Sequence, residues 1–445
     1  MPYTPHTDLD IQEMLQLIGL SSIEDLFEEI PESIRKPSIQ VQAPKTEEEI
    51  RRVIDHLSGL NHPAGESTSF LGGGAYERIR PSIIDRLISR SEFCTSYTPY
   101  QAEVSQGTLQ FIFEFQSLIT RLTGMEATNA SMYDGASALA EAALMALRIN
   151  HRGKLLVAGS IHPRWKQALK TYLTGMDAVI EEIPMKSGTL DLEWLAGAVD
   201  SQTSSVAIQS PNFFGFLEDL EKIGEIIKPS GAVWIQASDP VSLALLKTPG
   251  EWGADIAIGE LQSLGLPLSY GGPYAGYFAV RYKDIRQMPG RLVGKTVDSD
   301  GKPGYVLTLQ TREQHIRRDK ATSNICTNQS LCALAASIYM ATLGPSGLKE
   351  VAQQNFDKAH YLAEKLTRIP GFQMLSEAPF FNEFTLVLPG KASEVAARLR
   401  NQGILAGIHD AHWTGDPRYL VLCVTETKSL EALDHAVEAF REAIR

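Results

Sequence analysis

Three polar residues follow a short apolar run in the stretch GELQSLGLPLSYGGPYAG, which spans residues 259–276. Glu260, Gln262 and Ser263 lie where the predicted strand DIAIG ends, and a glycine-rich turn comes after them. Side chains at the carboxyl end of a parallel strand lie at the ligand-binding edge of a sheet. A carboxylate, an amide and a hydroxyl can hydrogen-bond a ligand there, but this stretch has no lysine that could bind one covalently.

A second predicted strand, VWIQASDP at residues 233–240, carries Gln236 near its end, and Asp239 comes three residues later. Enzymes that use pyridoxal 5′-phosphate (PLP) need a lysine for covalent attachment and an acid that keeps the pyridine nitrogen protonated. The lysine position falls within GELQSLG, and the acid position falls at the end of VWIQA. The nearest lysines, Lys247 and Lys283, lie on other elements. The sequence therefore predicts the scaffold of a PLP site without its covalent anchor.

Small residues open the predicted helix ALAEAALMALRIN, which is rich in strong helix formers. Gly135, Ala136 and Ser137 follow Asp134 at its start, and such a helix N-terminus is a site for an anion. In PLP enzymes of this architecture that position holds the cofactor phosphate. An ordinary Asp or Ser cap explains the same residues equally well, so both interpretations stay open.

Cations and hydrogen-bond donors occur together in TREQHIRRDKATSNICTNQ, residues 311–329. Its arginines and lysine could bind phosphate or carboxylate groups with the residues that follow, although a solvated helix face is the alternative. Residues 72–74, three glycines, could cradle a phosphate or simply form a turn. Residues 290–296, GRLVGKT, are one residue short of a P-loop, so nucleotide hydrolysis is not predicted.

Alternating strands and helices are needed to bring these polar ends to one edge. Six apolar runs are predicted strands: KLLVAG, AVIEEIP, SVAIQS, VWIQA, DIAIG and YFAVR. Helical stretches such as PRWKQALKTYL and DLEKIGEIIK lie between them. This alternation predicts an α/β domain with a mostly parallel sheet, whose right-handed crossovers place the ligand-binding loops at one edge.

The chain is predicted to have three parts: a helical N-terminal arm (1–64), a large α/β domain (65–330) and a small α+β domain (331–445). The arm cannot bury its apolar face alone, so we expect it to cover another surface. Residues 65–110 are irregular but aromatic, which is typical of an ordered functional segment.

Composition excludes several classes of protein. A net charge of −12 argues against a nucleic-acid surface, which needs clustered cations. The four cysteines show no zinc-ligand spacing and are expected to be reduced; Cys326 could be reactive, but a structural role is favoured. The N-terminus has no signal-peptide pattern, and the apolar run 331–343 is too short to span a bilayer. A cytoplasmic protein without metal or membrane segment is predicted.

Six motifs in one order resemble the P-protein of the glycine cleavage system, and the similarity spans nearly the whole chain. They are FLGGGAYERIRP, TSYTPYQAEVSQGTLQFIFEFQSLITRLTG, SPNFFGFLED, GLPLSYGGPYAGYFAVR, MPGRLVG and REQHIRRDKATSNICTNQ. More narrowly, the chain resembles the alpha, or N-terminal, subunit of the two-subunit bacterial form.

The resemblance implies a PLP-dependent transferase fold of type I and a part in glycine dehydrogenase (aminomethyl-transferring) activity. Glycine loses its carboxylate as CO2, and the aminomethyl group passes to the lipoyl arm of the H-protein. A homologous second subunit carries the lysine that holds PLP. Its lysine corresponds to Gln262 here, and its acid lies near Gln236. A large obligate αβ interface is implied, with the dimer expected to double to α2β2.

Fold-type-I sites lie at dimer interfaces, so the resemblance implies that this chain completes the partner's site. We expect one group to reach the partner's pocket and a second to bind its PLP phosphate. The first group is Tyr97, Tyr100 and Gln101, and the second is Thr322, Ser323 and Asn324. Interface packing is the alternative role for the two tyrosines.

Two other functions stay open. A self-sufficient PLP aminotransferase or desulfurase would need a lysine within reach of the sheet edge, and Gln262 argues against it. An inert scaffold subunit would leave its partner's turnover unchanged when Tyr97, Tyr100 or Thr322 is replaced.

Overall fold

A computed structural model describes residues 5–35, 41–61 and 63–444 of the chain. The described residues form two compact units, Met1–His62 and Pro63–Arg445. The predicted arm includes residues 1–4, 36–40 and 62, which lie outside the described part, as does residue 445 of the predicted small domain. The predicted boundaries at residues 64/65 and 330/331 stay predictions.

The strands are β1 (Thr68–Ser69), β2 (Ala127–Thr128), β3 (Lys154–Ala158), β4 (Val179–Ile183), β5 (Met185–Lys186), β6 (Thr189–Leu190), β7 (Thr203–Gln209), β8 (Val233–Ala237), β9 (Ile256–Glu260), β10 (Gly276–Val280), β11 (Leu292–Val297), β12 (Pro303–Thr308), β13 (Gln373–Met374), β14 (Glu383–Val387), β15 (Ile404–Leu405) and β16 (Tyr419–Cys423).

The α-helices are α1 (Asp8–Ile18), α2 (Glu32–Arg35), α3 (Glu47–Ser58), α4 (Ile83–Ile88), α5 (Ser91–Cys94), α6 (Gln106–Thr123), α7 (Gly135–Asn150), α8 (Pro163–Tyr172), α9 (Leu192–Ala198), α10 (Leu220–Ile227), α11 (Pro249–Trp252), α12 (Gln314–Arg317), α13 (Ser330–Thr367), α14 (Ala392–Arg400), α15 (Ala411–Thr414) and α16 (Leu430–Ala443).

A seven-stranded sheet forms the centre of the larger unit, in the order β2-β10-β9-β8-β7-β3-β4. The five strands from β9 to β4 are parallel, whereas β10 is antiparallel to both of its neighbours. All six predicted strands are present in this sheet, so the predicted α/β architecture with a mostly parallel sheet is confirmed. The short edge strand β2 was not predicted, because two residues are too few to give an alternating pattern.

Both faces of the sheet are covered. Ile256 and Ile258 of β9 pack into one apolar core with α7, while Ala257 packs into a second core with α6 and α13. Successive side chains of a strand point to opposite faces, so one apolar strand can supply both cores. The apolar runs predicted as strands therefore have the near-continuous hydrophobicity of a buried parallel sheet.

A third core lies in the C-terminal part of the larger unit. Antiparallel strands β13, β14 and β16 pack with α14 and α16, and Leu386, Leu420 and Phe440 are buried there. The long helix α13 is long and apolar enough by composition to cross a membrane, a test that a core helix also passes. It kinks at Gly344, and its buried Tyr339 belongs to the core beneath the sheet.

The smaller unit is helical, as predicted for the arm. Thr7 caps α1 and Thr46 caps α3, each in a reciprocal capping box with an acid three residues on. Such boxes satisfy backbone N–H groups that have no partner inside the helix. The larger apolar side chains of both helices, among them Leu17 and Ile54, are exposed.

Candidate functional site

The loops after β8 and β9 lie side by side at the carboxyl edge of the sheet, where the sequence predicts a vestigial cofactor site. Gln262 is fully buried in the loop after β9. Its Oε1 accepts a hydrogen bond from the Tyr76 amide at 2.7 Å, and its Nε2 donates to the carbonyls of Tyr76 (3.0 Å) and Leu266 (2.9 Å). The side chain thus holds the segment around Tyr76 onto the sheet, and its hydrogen bonds are made within the chain.

Gln236 lies one residue before the end of β8 and is also buried. Its Nε2 is 3.4 Å from Ser238 Oγ, while its Oε1 has no hydrogen-bond partner within the described part of the chain. An amide carries no negative charge, so Gln236 cannot keep a pyridine nitrogen protonated as a carboxylate would.

Asp239, the nearest acid beyond β8, belongs to a buried network. Its Oδ1 accepts from the Ser263 hydroxyl at 2.6 Å, and its Oδ2 is 3.7 Å from a guanidinium nitrogen of Arg78. Arg78 also pairs with Glu426 at 3.0 Å and is almost fully buried. Since a buried charge must be paired, this network ties the sheet edge to the C-terminal part.

Glu260, the last residue of β9, reaches the N-terminus of α7. Its Oε2 accepts from the Gly135 amide at 3.0 Å, and its Oε1 accepts from its neighbour Leu261 at 3.0 Å. Burial raises the pKa of Glu260 to about 8, against the lowering effect of the Gly135 amide, and the charge of Asp134 adds to the rise. Of the predicted anion site at Gly135, Ala136 and Ser137, the Gly135 amide is therefore bonded to a carboxyl group of the same chain.

The cap at that helix is equally complete. The Ser137 amide donates to Asp134 Oδ1 at 2.7 Å, and the Asp134 amide donates to Ser137 Oγ at 3.1 Å. Of the two interpretations the sequence left open, an Asp cap is present in the structure. The Gly135 amide, at the same helix start, donates to Glu260.

Two cavities adjoin this edge. An enclosed one of about 30 Å³ lies between Gln209, Ser238 and Glu383, and a wider cleft of about 480 Å³ opens past Trp165 and Trp413. The smaller volume matches a single water molecule. Among the described residues, no lysine lines either cavity.

His162 and Glu383 are titratable groups at this edge that the sequence analysis did not single out. Burial lowers the pKa of His162 to about 4, so its ring is neutral at physiological pH. Burial raises the pKa of Glu383 to about 7, against hydrogen bonds from the Gly73 amide (2.7 Å) and the Tyr76 hydroxyl (2.9 Å). The Gly73 amide is thus bonded to a side chain of the same chain, and the three glycines line the wider cleft. Pairing between such distant segments has no sequence signal.

The P-loop-like run 290–296 leads into β11 of a β-hairpin with β12. A P-loop needs a helix after its glycines, so the structure agrees with the prediction that this is no nucleotide site. The described residues also contain no cluster of His, Cys, Asp and Glu that could hold a metal ion.

The residues predicted to face a partner lie apart from the enclosed edge. Tyr97 and Tyr100 are 81% and 52% exposed, and Gln101 is exposed as well. Asn324 is exposed, while Thr322 and Ser323 are partly buried. The Ser323 hydroxyl donates to Glu141 at 2.8 Å and therefore stabilises its own loop.

The buried side chain of Arg291 connects the segment around Tyr100 with the segment around Cys326. This buried side chain donates to Thr98 Oγ1 (3.3 Å), to the Tyr100 hydroxyl (3.1 Å) and to the Cys326 carbonyl (2.6 Å). Its Nε also lies 3.6 Å from Glu313. Sequence reasoning missed this role, since only the motif MPGRLVG was noted. The tyrosine segment and the Thr322–Cys326 region are thus held by one guanidinium, the planar fork of which suits several acceptors.

The residues at the sheet edge do not fit PLP bound to this chain. Gln262 cannot bond PLP covalently and is fixed by three hydrogen bonds, Gln236 cannot carry charge, and Glu260 occupies an amide that a phosphate would need.

Residues 1–440 match the sequence profile of the glycine cleavage system P-protein. A protein of Chlorobium luteolum named probable glycine dehydrogenase (decarboxylating) subunit 1 is 49% identical, over 99% of this chain and 100% of that one. A solved glycine decarboxylase (P-protein) of the glycine cleavage system, in inhibitor-bound form, is 43% identical with a TM-score of 0.91, and each chain is covered completely.

A cysteine desulfurase from Thermococcus onnurineus NA1, at 16% identity, has a TM-score of 0.64 over 90% of this chain and 99% of that one. This more distant likeness concerns the fold alone, which is the PLP-dependent transferase fold of type I. With a family profile over nearly its full length, the chain belongs to the glycine cleavage system P-protein family.

Proposed function

We propose that this chain is one subunit of a heteromeric glycine dehydrogenase (decarboxylating). With a lysine-bearing second subunit it decarboxylates glycine, releases CO2 and transfers the aminomethyl group to the lipoyl arm of H-protein. Relatives at 47–49% identity over almost their whole length are named as subunit 1 of that enzyme, which supports the proposal and implies a second subunit.

Buried Gln262 carries the proposal that PLP is held by the partner. A lysine that bonds PLP needs a side-chain nitrogen that is free to react with the cofactor. The Gln262 side chain instead makes three hydrogen bonds to backbone groups of Tyr76 and Leu266. When PLP is bound in the partner, it supplies the electron-withdrawing group that decarboxylation requires. This chain supplies neither the covalent bond nor the acid.

The contribution of this chain is made by its exposed segments. Tyr97, Tyr100 and Gln101 extend towards the partner's pocket, where a tyrosine offers an apolar ring with a polar tip for a substrate carboxylate. Thr322 and Asn324 offer donors for the partner's PLP phosphate, together with Ser323 if its bond to Glu141 is exchanged. Arg291 positions both segments.

The expected assembly is an αβ dimer that doubles to α2β2 and acts in the cytoplasm on glycine and lipoylated H-protein. The arm (1–64), the large domain (65–330) and the small domain (331–445) are the proposed parts. The arm's exposed apolar side chains suit burial in such an obligate interface.

Reconstitution tests this proposal. The chain and its lysine-bearing partner, each alone and then mixed, are incubated with PLP, and cofactor absorbance and glycine-dependent CO2 release are recorded. We expect both the cofactor absorbance and the CO2 release in the mixture that contains the partner. Glycine turnover should also require this chain. Full glycine turnover by either subunit alone would contradict the split site.

Tyr97→Phe and Thr322→Val in the mixture separate this proposal from an inert scaffold. A completing subunit lowers the partner's turnover when these hydroxyls are removed, with assembly unchanged by gel filtration. A scaffold leaves turnover at the wild-type rate.

A further inference from the structure

The N-terminus of α7 is a site where backbone amides converge on one group. The amides of Gly135 and Leu261 each lie 3.0 Å from an oxygen of the Glu260 carboxyl. Converging N–H groups at the start of a helix are a binding site for phosphate. In this chain the site is built, but its occupant is a side chain from β9.

Two neighbouring elements approach the start of α7 closely. A Cβ added to Gly135 would overlap the indole of Trp165, and one added to Gly276 would overlap the backbone of Asp134. The helix start is therefore enclosed by Trp165 on one side and by β10 on another. Close backbone approach of this kind is a common reason for glycine.

Glu260 lies on the walls of both cavities at the sheet edge, the enclosed one and the wider cleft. Its carboxyl group therefore stands between the amides and the open cleft. Shortening this side chain would expose two backbone donors to a cleft of about 480 Å³. Unpaired buried amides bind whatever acceptor can reach them.

We propose that Glu260 is a specificity-determining residue that closes this chain to phosphate-bearing ligands, because its carboxyl takes the place of a phosphate on the amides of Gly135 and Leu261. The proposal deepens the inference that PLP is held by the partner, since it excludes non-covalent PLP as well. It rests on contacts within this chain, so it stands whether or not the proposed glycine activity is correct.

The test uses the full-length chain and two pairs of probes. The phosphate-bearing probes are inorganic phosphate and 4′-deoxypyridoxine 5′-phosphate, which lacks the aldehyde that reacts with surface lysines. Their controls are sulfate-free buffer and unphosphorylated 4′-deoxypyridoxine. Binding of each is measured by calorimetry. The variants are Glu260→Ser, which opens the site, and Glu260→Gln, which keeps an acceptor in it. Glu193→Ser, at an exposed acid of α9, controls for the loss of one charge.

We expect tighter binding of the phosphate-bearing probes by the Glu260→Ser variant alone. Glu260→Ser binds both phosphate-bearing probes at least about tenfold more tightly than the wild type, Glu260→Gln or Glu193→Ser, and prefers the phosphorylated pyridine to the unphosphorylated one. If the wild type binds as tightly as a folded Glu260→Ser chain, the proposal is overturned.

A measurement on the unaltered chain covers the case in which Glu260→Ser does not fold. The Gly135 amide resonance of the ¹⁵N-labelled wild type is followed while inorganic phosphate is added. No saturable shift is expected, because the amide is already bonded to Glu260. A saturable shift of that resonance would show phosphate at the helix start and would overturn the proposal.

Discussion

The sheet edge and the outer segments of this chain, residues 97–101 and 322–324, differ in how their polar groups are bonded and exposed. At the edge, Gln262 is buried and Glu260 partly so, and both are bonded to backbone amides of the same chain. In the outer segments, Tyr97 is exposed to solvent and Tyr100 half so, although Arg291 holds that segment from beneath. Gln262 and Glu260 thus form hydrogen bonds within the chain, whereas the outer segments present polar groups to solvent.

This contrast indicates which residues of the subunit are expected to contribute to function, given that its sheet edge has no lysine to bind PLP. A polar group that is buried and satisfied contributes stability, because removing it strands its partners. An exposed aromatic held in place contributes binding surface. We therefore expect changes at the edge to alter stability and changes in the outer segments to alter the partner's turnover.

The largest effect is expected at the residue that supports the outer segments from below. Arg291→Met removes a buried guanidinium that makes three hydrogen bonds and an ion pair with Glu313 at 3.6 Å. We expect the free energy of unfolding to fall by about 3 kcal/mol and turnover in the complex to fall as well. Chemical denaturation and CO2 release measure the two. Arg291→Lys should recover only part of each, since lysine lacks the planar fork.

Two glutamines sharpen the contrast between the regions. Gln262→Ala strands the buried backbone groups of Tyr76 and Leu266 and should lower the free energy of unfolding by about 2 kcal/mol, with turnover of the assembled complex retained. Gln101→Ala, at an exposed site, should change stability by less than about 0.5 kcal/mol but reduce turnover. The opposite pattern in denaturation and activity assays would break the comparison.

A smaller effect is expected from a single hydroxyl of the outer segments. Tyr97→Phe keeps the ring and should slow glycine-dependent CO2 release by the complex about tenfold, which corresponds to about 1.4 kcal/mol. Its thermal midpoint should stay that of the wild type. Tyr282→Phe, another exposed tyrosine, serves as the control and should leave turnover unchanged. Equal rates for all three chains would assign Tyr97 to interface packing.

The smallest effect concerns pH. The folded-state pKa of Glu260, about 8, lies above its ordinary value of 4.5, so the native chain binds more protons than the unfolded chain between those values. The stability from this group is therefore present at low pH and is lost as pH rises towards 8. Between pH 6 and pH 8, Glu260→Gln should lose less stability than the wild type, measured by urea denaturation. An identical pH dependence would contradict the shifted pKa.

Much of the fold could be predicted from the sequence, because apolar strand runs and alternating helices depend on local patterns. The positions of Gln262 and Gln236 at the sheet edge could be placed through the family's loop. The contacts that decide their roles could not. Glu260 meets Gly135 from 125 residues away, and Arg291 meets Tyr100 from 191 residues away. Such pairings depend on how the strands are ordered, and no local spacing encodes them.

The most direct test locates the cofactor in the reconstituted complex. The assembled subunits are loaded with PLP, reduced with borohydride and digested, and the labelled lysine is identified by mass spectrometry. The proposed function predicts label on a single lysine of the partner and none in stoichiometric amount on this chain. Stoichiometric label on any lysine of this chain would contradict the central claim that the partner, and not this chain, holds the cofactor covalently.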